Sequence, residues 1–122
     1  MMRTIATILA VLTAAEFFYI FYLETLVPTS KKTSEVFKIP QDTLRQDTVK
    51  TLLKNQGVYN GLLGVLILLA VFCFASLAMT AVLMVYIILV AAYGAVSSQP
   101  RILLMQGGLP ILTLIFLLLT LA

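Results

Sequence analysis

Two carboxylic acids lie inside an otherwise apolar stretch near the amino terminus, Glu16 and Glu24. A carboxylate near mid-bilayer costs about 2.5–3.5 kcal/mol on insertion scales, so such a residue points by default to a function. Proton carriage, cation binding and general acid catalysis are the chemistries open to it. The competing role is a glutamic acid hydrogen-bonded to a carboxamide, holding helices in register. Glu16 lies ten residues before Leu26, about 15 Å deep in a helix. Tyr19 follows it by one turn. Glu24 sits nearer the interface, where it can also reach water or the adjacent Lys31 and Lys32.

A second set of polar groups stands at Asn55-Gln56-Gly57-Val58-Tyr59-Asn60-Gly61, where a charged segment gives way to an apolar run. Gln56, Tyr59 and Asn60 are spaced i, i+3 and i+4, so they share a helix face. Gly57, Gly61 and Gly64 share another, the small-residue pattern that lets helices approach closely. The carboxamides can bind a polar headgroup, or hold Glu16 and Glu24. Further along come Tyr86 and Tyr93, seven residues apart, and Gln106 ahead of Pro110. A proline within a helix releases the carbonyl four residues back, here that of Gln106. Thr113 and Thr120 continue that face, their hydroxyls expected to bond back to their own helix.

Other chemistries are excluded by composition. There is no histidine and a single cysteine, Cys73. That rules out an internal disulfide, a thiolate or histidine metal centre and a histidine base, and no cofactor motif is present. The formal charge of +3 rests on basic residues gathered in one loop and does not suggest nucleic-acid binding.

The elements that must position these groups follow from hydropathy. The chain has 122 residues, 61% apolar and 11% charged, with a mean hydropathy of +1.09. Those values lie outside the soluble range and predict an all-α integral membrane protein with the lipid bilayer as its surroundings. Residues 4–27 form the first span. Arg3 and Thr13-Ala14-Ala15 resemble a signal peptide, but the apolar run continues to Leu23 without a polar break, so a retained helix is expected. The run from Gly57 to Val96 would be about 60 Å long as helix, twice the hydrocarbon thickness, and must fold back on itself. A break at Ala75-Ser76-Leu77-Ala78 divides it into spans of about 56–74 and 79–96, and residues 102–121 make the fourth. The polar loop 28–55 between the first two spans includes an amphipathic segment after Pro40, with Asp42 or Thr43 able to cap a helix. Together these make one transmembrane domain, an antiparallel four-helix bundle.

Lys31, Lys32, Lys38, Arg45, Lys50 and Lys54 lie in loop 28–55, and Arg101 in the loop between spans three and four. The positive-inside rule therefore puts that side in the cytoplasm and both termini outside. Glu24, Asn55 to Asn60, Tyr93 and Gln106 then fall at the cytoplasmic end, with Glu16 deepest. The outer half is nearly featureless hydrocarbon, which argues against a continuous channel.

These motifs resemble those of one family, the small four-helix bacterial membrane proteins known as domain of unknown function 1304. Glu16-Phe17-Phe18-Tyr19-Ile20 through Glu24 is similar to its first-span pattern, and Asn55 to Gly61 to its central signature. Ala92-Tyr93-Gly94 and Gln106-Gly107 with Pro110 correspond to its later ones. Two departures are visible: Phe17 stands where the family pattern has a histidine, and Gly108 is inserted before Leu109-Pro110. The resemblance implies the fold and a bacterial inner-membrane location, and brings no established activity.

The residues favour a binding protein or carrier for a small amphipathic, lipid-like ligand, its polar end meeting Glu16, Gln56, Asn60, Tyr93 and Gln106. Protonation of Glu16 would couple binding to pH. A structural or assembly subunit is the second reading, with homo-oligomers joined through the Gly57/Gly61/Gly64 face. Acid–base catalysis on a lipid, or proton-coupled export, is the third. Nothing in the spacing specifies a reaction.

Overall fold

The computed structural model describes residues 1–121, and they are all-α. Helix α1 runs Met2–Phe21 and continues as a π-helical turn over Tyr22–Leu26. Two short helices follow, α2 (Lys31–Phe37) and α3 (Gln41–Leu44). Helix α4 (Asp47–Leu68) also ends in a π-helical turn, Leu69–Cys73, before α5 (Leu77–Ser97) and α6 (Arg101–Leu121). Four of these stretches, Met2–Leu26, Asp47–Cys73, Leu77–Ser97 and Arg101–Leu121, are long and apolar enough to cross a membrane. Their side chains agree with that: Val82, Val85, Leu89, Val90 and Val96 are all exposed along α5 alone. A water-soluble monomer does not present apolar surface on that scale.

The chain divides into two compact units. The first, Ala15–Val65, contains the last third of α1 with its π-helical turn, both short helices and most of α4. Here α1 and α4 run antiparallel, with Thr25 Oγ1 donating to the Lys54 carbonyl at 2.9 Å and Gly61 lying against Phe21. The junction 28–46 is more ordered than a loop. Ser30 caps α2 by accepting the Thr33 N–H at 3.1 Å, and Lys38 ends that helix in the left-handed region at φ 58°. The Thr33 hydroxyl is fully buried, 2.9 Å from the Leu23 carbonyl and 2.7 Å from that of Val27. The last carbonyls of a helix have no partners within it, and α2 supplies one. Gln41 Nε2 donates to the Thr29 carbonyl at 3.0 Å, and Arg45 pairs with Asp42 at the surface, also at 3.0 Å.

The second unit comprises Met1–Ala14 and Leu66–Ala122. Its helices α5 and α6 are antiparallel, with Gly94 against Ile102 and Gly107 against Ala91. The core holds Met84, Ile87 and Ala91 from α5 with Gly107, Pro110, Thr113 and Leu117 from α6. Ala6 and Ala10, one turn apart, are buried as well. The turn between α4 and α5 is shorter than the expected break. Ala75 takes φ 45°, the Ser76 N–H reaches back to the Ala70 carbonyl at 2.9 Å, and Ser76 Oγ caps α5 by accepting from Met79 N–H at 3.0 Å. Such a turn usually carries glycine. Thr113 and Thr120 do bond back, to the carbonyls of Leu109 at 2.7 Å and Phe116 at 2.8 Å.

Candidate functional site

Glu24 is the centre of the one buried carboxyl cluster among the described residues, with no part of it exposed. Its Oε2 accepts from Gln56 Nε2 at 2.8 Å and its Oε1 from Asn60 Nδ2 at 2.7 Å. Three local features bring these groups together. The π-helical turn adds a residue per turn to the end of α1, which re-aims the side chains that follow it. Leu23 and Glu24, consecutive in sequence, are consequently both buried. Gln56 and Asn60 are one turn apart on α4, so their amides stack on one side of that helix. Between them, Gly57 and Gly61 bring the α4 backbone against α1. A Cβ on Gly57 would overlap Thr25 Oγ1 and come within 2.9 Å of Glu24 Cβ, and one on Gly61 would lie 2.9 Å from Phe21 Cδ1.

Gly57 and Gly61 are therefore occupied by α1 of the same chain. The space that these two small residues leave open is filled from within the chain. The expectation that Glu24 reaches water, Lys31 or Lys32 is corrected, because the π turn withdraws it from solvent and two amides take its oxygens.

Other sequence-predicted residues lie elsewhere. Glu16 is half-buried, and among the described residues its carboxyl makes no hydrogen bond. Tyr19 is exposed and stacks on Tyr22, ring centroids 6.5 Å apart. Asn55 and Tyr59 are exposed on α4; Tyr59 shares a turn with Asn60 but at 76% exposure stands clear of the cluster. Tyr93, exposed, and Gln106, partly buried, belong to the other compact unit. Sequence reasoning passed over Thr25 and Thr33. Thr33 was detectable, since Ser30 three residues earlier is a good helix cap and implies ordered structure beneath α1.

Both amides give N–H groups to Glu24, so their oxygens, Gln56 Oε1 and Asn60 Oδ1, remain as acceptors. Gln56 is exposed and Asn60 partly so. The arrangement is a buried acid behind a rim of amide oxygens. Among the described residues no group of three or more acidic, histidine or cysteine side chains could hold a metal ion.

Residues 11–118 match the family model described as a protein of unknown function (DUF1304). The chain is also similar to the uncharacterized protein YpaA of Lactococcus lactis subsp. lactis (strain IL1403). The two are 50% identical over 115 residues, covering 93% of this chain and 97% of YpaA. No solved structure matches the chain.

Proposed function

The chain belongs to the DUF1304 family of proteins of unknown function, and from that premise we propose that it is a four-pass membrane protein that binds a small amphipathic molecule. In this reading the four long helices form a single antiparallel bundle in the plasma membrane. Both termini are outside and the basic segment 28–55 faces the cytoplasm, as its lysines require. The ligand's polar end meets the rim of Gln56 and Asn60, and its apolar end lies among the helices.

The observation that carries this reading is the buried Glu24 with both oxygens held by carboxamides. The acid fixes which way each amide points, so the rim offers both carboxamide oxygens and the second N–H of each amide, a set that suits a head able to donate and accept hydrogen bonds, such as a polyol. An assembly subunit is the second reading. It is favoured by the fact that the same two hydrogen bonds join α1 to α4 and so serve packing.

Native mass spectrometry of nanodisc-held protein separates the two, comparing wild type with Asn60→Ala and Glu16→Gln. A small molecule carried by wild type and missing from Asn60→Ala supports binding at the rim. Equal loss from Glu16→Gln extends the site to that acid. Clean apoprotein in every form, with thermal stability lowered only in Asn60→Ala, favours the assembly subunit.

A further inference from the structure

The α1–α4 seam has two flanks, and the carboxamides occupy only one. At 100° per residue, Gln56 and Asn60 fall to one side of the line through Gly57 and Gly61, while Val58, Leu62 and Val65 fall to the other. On that second flank Phe18, Phe21, Val58, Gly61, Leu62 and Val65 line an apolar groove of about 230 Å³. A water molecule takes about 30 Å³, so the groove accommodates a length of hydrocarbon chain. In a bilayer, lipid tails are as apolar as leucine, and an apolar groove alone does not choose its occupant. Selection must come from the head.

The same face of α4 continues downward into charge. Lys54 precedes Val58 by one turn and stays on that flank, whereas Lys50, a turn further down, falls on the glycine line. Lys54 is exposed and its main chain is pinned to α1 through the Thr25 hydroxyl. Of the acids nearby, Glu24 is buried on the opposite flank and Asp42 is paired with Arg45, while Asp47 lies on this face two turns below Lys54 and, among the described residues, forms no ion pair with it. We infer that this flank is a seat for an anionic phospholipid, with one acyl chain in the groove and the phosphate meeting Lys54. Its charge is the one a negative head requires, at the end of the groove where a head must lie. The seat rests on the chain spanning a bilayer, and not on the amide rim.

The test is native mass spectrometry of protein released from nanodiscs containing phosphatidylglycerol and phosphatidylcholine. Wild type is expected to retain phosphatidylglycerol in preference. Removing one lysine by Lys54→Gln lowers that preference about fivefold, the worth of one basic group near a lipid surface. Val58→Phe, which fills the groove, lowers retention of both lipids. Lys38→Gln, at the end of α2, leaves the preference unchanged. Equal retention of the two lipids by wild type overturns the inference. So does a loss in Lys38→Gln as large as in Lys54→Gln, which marks diffuse attraction by the whole basic segment. Carbonate extraction of wild type tells this failure from a broader one: a chain that washes off the membrane sinks the four-pass reading too, whereas an embedded chain without preference sinks only the lipid seat.

Discussion

Gln56 and Asn60 each commit one of their two amide hydrogens to Glu24, one to each carboxyl oxygen. Asn60→Leu therefore leaves one oxygen of a fully buried carboxyl without a partner. An orphaned buried group costs about 1–3 kcal/mol in water-soluble proteins, and bonds between membrane helices average nearer 0.6 kcal/mol. Thermal unfolding in detergent should place the variant about 1–2 kcal/mol below wild type. Glu16→Gln, at a half-buried position, should stay within about 0.5 kcal/mol in the same assay. The glycines divide in the same way. Gly57→Ala must displace Thr25 and the Glu24 side chain at its root, a case of overpacking that costs about 1–3 kcal/mol. Gly108, with nothing within 4 Å of an added Cβ, should accept alanine and gain about 0.5–1 kcal/mol of helix propensity. Equal damage at Gly57 and Gly108 would show that space at the α1–α4 seam is not what sets the difference.

Among the elements, the turns hold the least expected chemistry. Ala75 occupies a left-handed conformation that costs a non-glycine residue roughly 1–2 kcal/mol. Ala75→Gly should relieve part of it and raise the melting temperature, and a fall would mean that the alanine methyl makes a contact worth more than the strain. Hydropathy made the four long helices legible because each has an apolar run of the length a bilayer demands. It could not show that the 28–46 junction is built around Thr33, since a single hydroxyl under a helix end leaves no periodic trace. Nor could it rank the acids. Counting residues along a regular helix puts Glu16 deep and Glu24 at the rim. The π turn breaks that regularity and buries Glu24 completely, while the spacing of Gln56 and Asn60, readable in sequence, supplies its partners.

At the scale of the whole molecule, sidedness is the property most open to test. In the proposed topology the excess of lysine and arginine in 28–55 assigns that segment to the cytoplasm. In a Cys73→Ser background, Lys38→Cys should resist a membrane-impermeant maleimide in intact cells and react once the membrane is permeabilised. Labelling of intact cells would invert the proposed topology and move the amide rim and the lysines to the outer face.

The partners of Glu24 arrive 32 and 36 residues after it. Both are therefore made before α5 has begun to leave the ribosome. A nascent chain that has delivered only its first two long helices already contains everything needed to satisfy its buried acid: the carboxyl, both amides, and the glycines that let them meet. In the four-pass reading the fully buried acid of the first hairpin can thus be shielded during synthesis, before the second half of the chain exists.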